Sequence, residues 1–491
     1  MVALGWSTPM AAFVQLLATT ALIMGGTEHP LVSATSDDYG EDPGFVDAYV
    51  DGVRERYIIP TAAVRGDDTA GPVAVDSDYQ RKAVYTPEQF WPLYGSSKFD
   101  DSVATGVDNL EGCAVGGSCR SLGYAGDPTD TTDYVVFGYS QSARIATLLK
   151  RRLAEAPPGT VPGVDDLSFV LIGNPNRPNG GILMRFKGLH IPILGVTFDG
   201  ATPTDTGYRT VDISRQYDGW SDFPLYPLNP LATANAIAGI VYEHSDYFSP
   251  AVGDMQYQGH AGDTDYYLIP AERLPILIPL EQLGVPSPIL TALDAPARVI
   301  IEWAYDRDPD DVGTPTRARL VNLSNPVPHL RDLAVAIPTG WDDGISEAKG
   351  DPDFRPFGTK PATSPYGVGG QDLPEPDADV GATSQTVDEE PAPVTKRDKT
   401  TAGPLRDVVR NPIGVDDTPK AVRAKEDRPV RKLVKELTGQ RAEGRESNGA
   451  TGHKVKDTVM RKVKDQDTVK RTDKVKDTAR AKPTSTAKDA A

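Results

Sequence analysis

The apolar positions of this 491-residue chain fall into short runs broken by Gly, Pro and Asp, the rhythm of strands alternating with helices. One run covers residues 20–25 and enters a turn at Gly25-Gly26-Thr27. A second is Tyr134-Val135-Val136-Phe137-Gly138-Tyr139, followed over 143–150 by a stretch that reads as a helix. The run 167–172 is almost wholly apolar and is stopped by Gly173-Asn174-Pro175, which predicts a parallel strand buried on both faces. Further strands are predicted at 57–60, 191–198 and 210–217, with a loop and then a helix over 85–107 and a helix over 231–242. This alternation predicts a doubly wound α/β sheet. Beyond His244, the apolar runs 266–270, 274–283 and 289–305 read either as a cap over an acyl groove or as extra core on the sheet edge.

Composition divides the chain. Residues 395–491 hold 26 Lys and Arg against 15 Asp and Glu, so with −18 on the whole chain the rest carries −29. The back is a basic tail that repeats Lys-Val-Lys-Asp at 454, 462 and 474 and has almost no aromatic residues, so it is read as disordered. Contact of this tail with an anionic envelope surface is a secondary expectation. The acidic front argues against nucleic acid as a partner. From 339 to 394 the density of Pro, Gly and Asp predicts a linker. Residues 11–24 are largely apolar, but no Lys or Arg precedes them, so an export signal is incomplete. The expected organisation is an export segment or leading helix at 1–19, an α/β domain at 20–335, an acidic linker at 336–394 and the basic tail at 395–491. Oligomeric state is not fixed by any of these features.

The two cysteines, Cys113 and Cys119, flank a short Gly-rich loop and are expected to form a disulfide, which suits an oxidising compartment and a secreted or envelope-associated protein. With no second Cys or His cluster, no metal site is predicted.

The sequence centres on Gly138-Tyr139-Ser140-Gln141-Ser142. A strand, a sharp turn on a serine and a helix make the nucleophile elbow of α/β-hydrolases. Small residues at −2 and +2 allow the backbone to approach closely, and the positive end of the following helix favours negative charge at the serine. Ser142 stands where Gly is commoner. The bland alternative is an ordinary strand-to-helix turn.

A serine nucleophile needs a base, and the base needs an acid that fixes its tautomer. In α/β-hydrolase order both follow the serine. Of six histidines, His244, His260 and, less readily, His329 qualify. Asp218, at the end of the 210–217 strand, is the leading acid, because functional side chains gather at the carboxyl edge of such sheets. Asp222 and Asp199 are the alternatives. Each Asp has an ordinary reading as a turn residue, and His260 in Gly-His-Ala-Gly reads as a surface turn. An oxyanion hole would take the Gln141 N–H and a donor from Gly26-Thr27, with the Thr27 hydroxyl as an additional one. A triad of this kind needs no cofactor.

Three stretches resemble the PE-PPE domain, a module of actinobacterial serine hydrolases related to cutinases. They are residues 21–27, the run Tyr217-Asp218-Gly219-Trp220-Ser221-Asp222-Phe223 on to Asn229, and residues 262–270, with Ile301-Glu302-Trp303-Ala304-Tyr305 extending the match. Gly138-Tyr139-Ser140-Gln141 is similar to the cutinase elbow, and His244-Ser245-Asp246-Tyr247 to the cutinase His-x-x-Tyr. The resemblance implies an α/β-hydrolase fold, esterase activity on acyl esters, and Ser140, Asp218 and His244 as the triad. It also accepts Ser at position 142. The helical module that many members carry in front is not found in this chain, nor is the basic tail part of the family pattern. Three functions are therefore weighed: a serine esterase or lipase, an envelope acyltransferase using the same acyl-enzyme with a sugar hydroxyl as acceptor, and a non-catalytic envelope binding protein.

Overall fold

A computed structural model describes residues 19–33, 41–66, 79–123, 133–249 and 255–375. The export segment or leading helix expected at 1–19 lies outside the described residues except for Thr19, and the basic tail at 395–491 lies wholly outside them.

An eight-stranded sheet forms the centre, in the order β3-β2-β1-β4-β5-β8-β10-β9. Its six inner strands are all parallel: β1 (Thr19–Ile23), β2 (Tyr79–Val84), β4 (Tyr134–Tyr139), β5 (Leu167–Ile172), β8 (Thr210–Arg215) and β10 (Thr264–Ile269). The two edges, β3 (Ser121–Gly123) and β9 (Gln256–Ala261), are antiparallel. Residues 191–198 contribute only a small separate hairpin of β6 (His190–Ile191) and β7 (Val196–Thr197), not the single strand expected there.

Side chains alternate across a strand, so each central strand feeds two cores. Leu22, Val136, Phe169 and Leu171 meet α3 (Phe99–Ala114) and α4 (Gln141–Glu155) on one face. Ala21, Ile23, Val135, Phe137, Val170 and Ile172 meet α1 (Pro43–Val53) on the other. Phe137 and Phe169 are wholly buried on opposite sides, and such burial is worth about 1.5–3 kcal/mol per side chain. Cys113 near the end of α3 is joined to Cys119.

Residues 57–60 are helical rather than a strand. Arg54–Ile58 continue α1 as a π-helical turn, Ile59–Thr61 tighten into a 3₁₀ turn, and α2 (Ala62–Arg65) follows. Tyr57 and Ile58 are apolar because this turn packs on the sheet, a burial requirement that helix and strand share.

Among the described residues the remaining α-helices are α5 (Ile182–Arg185), α6 (Pro230–Tyr242), α7 (Ile278–Gln282), α8 (Ser287–Glu302) and α9 (Pro326–Lys349). α9 overturns the linker expected to begin at 336. Its glycines are contact points: a Cβ at Gly340 would fall 2.3 Å from the Ala292 carbonyl oxygen, and one at Gly344 2.3 Å from that of Pro288, both on α8. Asn325 caps the helix start, and Gly350, at φ 66°, ends it. The chain then folds back, with Asp342 accepting hydrogen bonds from the backbone of Phe357 and Thr359 at 2.8 and 2.9 Å. Among the described residues, no helix is long and apolar enough to cross a membrane.

Candidate active site

β2 and β4 lie on opposite sides of β1, so the strand order reverses there and leaves a crevice at the carboxyl ends of β1 and β4. Gly25-Gly26-Thr27 leaves β1 into this crevice, and Ser140 leaves β4. Ser140 sits at φ 59°, ψ −113°, a conformation costly for a side-chain-bearing residue, and is the N-cap of α4. Its neighbour at +2 explains itself. The Ser142 hydroxyl accepts from the Tyr139 N–H at 2.8 Å and donates to the Tyr139 carbonyl at 3.1 Å, so it clasps the turn that Gly would merely permit.

Three candidate residues form one hydrogen-bonded line. His244 Nε2 lies 2.7 Å from Ser140 Oγ, and His244 Nδ1 lies 2.7 Å from Asp218 Oδ2. Asp218 is fully buried. It accepts from the Trp220 N–H at 2.9 Å, the Ser221 hydroxyl at 2.8 Å and the Tyr247 hydroxyl at 2.9 Å. Burial pushes this carboxyl up, but the His244 imidazole, then the Trp220 and Ser221 donors, outweigh burial and hold it below the usual carboxylate range. The histidine is held from its other sides by the Tyr139 hydroxyl, which donates to its carbonyl, and by an Arg215–Glu243 ion pair of 2.7 Å on the preceding residue.

The turn that carries Asp218 rests on α6. A Cβ at Gly239 would lie 1.8 Å from the Tyr217 carbonyl oxygen, so helix and turn touch backbone to backbone. Gly239→Ala is expected to cost about 1–3 kcal/mol of stability, as overpacking does, and to lower any Ser140-dependent activity. Thermal unfolding checks this, and an unchanged melting temperature would refute the contact.

The alternatives are engaged elsewhere. Asp222 pairs with Arg307 at 2.7 Å and accepts from the Tyr217 N–H at 2.8 Å, bracing the turn before Asp218. Asp199 pairs with Arg151 at 2.7 Å. His260 stands on edge strand β9 and bonds Asp265 at 2.9 Å. His329 stacks on Trp303.

Gln141 is buried, and its side-chain amide donates to Thr27 Oγ1 at 3.0 Å and to the Gln89 carbonyl at 3.2 Å. Its amide oxygen accepts from the Ser102 hydroxyl at 2.7 Å. Gln89 was not anticipated, because a carbonyl acceptor leaves no residue-type signal. Among the described residues no cluster of His, Cys, Asp and Glu is arranged to hold a metal.

A parallel sheet with a serine on a strained strand-to-helix turn at its carboxyl edge defines an α/β-hydrolase fold. The profile of the PE-PPE domain matches residues 77–306, so this chain carries a PE-PPE domain. It is 39% identical over 350 residues to "Esterase PE16" of Mycobacterium tuberculosis, an alignment covering 69% of this chain and 59% of that protein. It is also similar to two further proteins of that organism. "Diacyltrehalose acyltransferase Chp2" is 29% identical, over 47% of this chain and 65% of its own length. "SL1278 acyltransferase Chp1" is 34% identical, over 47% and 55%. The chain thus spans about three fifths of the esterase's length. No solved structure matches the chain.

Proposed function

We propose that this protein is a serine hydrolase of acyl esters, with Ser140 as nucleophile, His244 as base and Asp218 as the acid that orients it. The observation that carries this reading is the unbroken line from Ser140 Oγ through His244 to Asp218, with both contacts at 2.7 Å. As Ser140 Oγ attacks the ester carbonyl, its proton passes to His244 Nε2, and the tetrahedral oxyanion forms. The Gln141 N–H at the start of α4 and the Thr27 hydroxyl stabilise that charge. Collapse expels the alcohol, which takes the proton from His244, and leaves an acyl-Ser140 ester. Water then attacks, giving its proton to His244, and the acid departs as Ser140 is reprotonated. Asp218 stays ionised throughout and stabilises the imidazolium. Lipid esters are the expected substrate class, in keeping with the names of the relatives, and the disulfide suits a secreted or envelope location.

The test is labelling by a fluorophosphonate together with hydrolysis of p-nitrophenyl esters of graded chain length. Labelling at Ser140 and turnover are expected. Absence of both would leave the non-catalytic binding reading. A second reading is favoured by the two acyltransferase relatives, in which an alcohol replaces water in the second half-reaction. Product analysis with a trehalose acceptor separates them: acylated trehalose in excess of free acid establishes transfer, and free acid alone establishes hydrolysis.

A further inference from the structure

The loop between β2 and α3 holds a residue that this chemistry leaves unused. Glu88 is fully buried, adopts φ 50°, and has no hydrogen-bond partner on either carboxyl oxygen. A left-handed backbone at a non-glycine residue and an unpaired buried polar group each cost stability, and such costs gather at functional sites.

The neighbours identify what this cost maintains. The Glu88 carbonyl accepts from the Glu28 N–H at 3.0 Å, and Glu28 is itself left-handed at φ 82°. Two strained turns are therefore tied to each other. One residue before Glu28 is Thr27, and one residue after Glu88 is Gln89, and these are the two acceptors of the Gln141 amide. Ser102 closes the ring, accepting from the Gln89 N–H at 3.0 Å and donating to Gln141 Oε1. Gln141 and Thr27 are the oxyanion donors of the proposed mechanism.

We infer that Glu88 is a positioning residue for this oxyanion wall, its buried side chain fixing the left-handed turn whose carbonyl accepts from the Glu28 N–H, and so the register that aims Thr27 and Gln141. The inference rests on the serine hydrolase reading. Burial drives the Glu88 carboxyl well above the usual carboxylate range, with the Thr86 hydroxyl a weaker opposing influence. The titratable group facing it is Tyr49 on α1, whose hydroxyl donates to the Met24 carbonyl at 3.1 Å and is itself raised by burial, then by Tyr139 and Glu88. Among the described residues no Lys, Arg or His pairs with Glu88. An ionised Glu88 must reach water or find a cation, and either movement pulls the turns apart. The folded state keeps the proton that the unfolded chain gives up, so the stabilisation is complete below the unfolded carboxyl range and is lost as pH rises through the folded value.

The experiment compares wild type, Glu88→Gln and Glu88→Ala as full chains. Infrared difference spectroscopy at pH 7 is expected to show the carbonyl stretch of a protonated acid in wild type that disappears in Glu88→Gln. Steady-state turnover of p-nitrophenyl butyrate is expected to fall roughly 10- to 100-fold in kcat for Glu88→Ala, the scale of a misplaced catalytic group, with KM little changed. Glu88→Gln, which cannot ionise, is expected to rescue most of kcat and to lack the alkaline decline that wild type shows. If Glu88→Ala does not fold, the pH profile of Glu88→Gln decides. Should wild type turn over no ester, the rate of Ser140 labelling by a fluorophosphonate replaces kcat. An ionised Glu88 at pH 7, full activity in Glu88→Ala, or the same alkaline decline in Glu88→Gln and wild type would overturn the inference. In each of those cases a Ser140-dependent activity would leave the hydrolase reading intact, whereas loss of Ser140 dependence would remove that reading instead.

Discussion

Ser140→Ala and His244→Ala will each lower kcat on acyl esters by on the order of 10⁶-fold, and the double variant will lose almost nothing more. In the proposed mechanism the two side chains carry out one event. Without the imidazole 2.7 Å away, the Ser140 hydroxyl has no acceptor for its proton as it attacks, and without the hydroxyl the imidazole has no proton to take. A remnant of activity over the uncatalysed rate should survive in both, because the Gln141 N–H and Thr27 remain to polarise a bound carbonyl. The measurement is steady-state hydrolysis of a p-nitrophenyl ester, with circular dichroism unchanged. Retention of activity in His244→Ala would move the base elsewhere, and His260, already bonded to Asp265, would be the next histidine to replace.

Asp218→Asn will cost about 10⁴-fold in kcat, less than loss of the base but far more than a peripheral change. The carboxylate accepts at Oδ2 from the histidine, Ser221 and Tyr247 together, and at Oδ1 from the Trp220 backbone. An amide nitrogen in the place of Oδ2 would face donors with a donor, and an amide oxygen there would turn the nitrogen on Trp220. Either orientation leaves a buried group unpaired, and the imidazolium loses its counter-charge. Because the folded carboxyl is held below its usual range, the interaction stabilises the fold above the unfolded carboxyl range and is lost as pH falls through the lower folded value. Asp222→Asn supplies the contrast. That residue binds Arg307 and the Tyr217 N–H, so its replacement should lower the melting temperature more than it lowers kcat. If instead Asp222→Asn abolished turnover and Asp218→Asn spared it, the two assignments would exchange.

What the chain discloses in advance follows the reach of each interaction. The elbow is local, since strand, turn and helix lie within about twenty residues, and their pattern needs no distant partner to be recognised. Asp218 and His244 are distant from Ser140 in sequence, and chain order alone left Asp222 and His260 beside them. Only the sheet brings His244 to the serine, while His260 stays on an edge strand. Residues 57–60 misled because apolar and aromatic residues serve a buried helical turn as well as a strand. α9 misled for a different reason. Gly340 and Gly344 look like breakers when read one at a time, yet they are the places where two helix backbones meet, and composition cannot register the presence of α8. Gln89 leaves least trace of all, since its contribution to the Gln141 contact is a carbonyl that every residue possesses.

The fold-back after α9 has a consequence for anyone shortening this protein. The Pro365 carbonyl accepts from Gln216 Nε2 at 3.0 Å and from Arg298 at 3.2 Å, and Tyr366 is buried, accepting from Gln258 at 3.0 Å and lying under the Arg307 guanidinium. Gln216 is two residues from Asp218. A chain cut where its composition turns from apolar to Pro- and Gly-rich would therefore lose a support of the turn that carries Asp218, even though every residue of the Ser140–His244–Asp218 line would still be present. The safe boundary for expression lies beyond 370, set by a carbonyl and a tyrosine that nothing in their surrounding sequence sets apart.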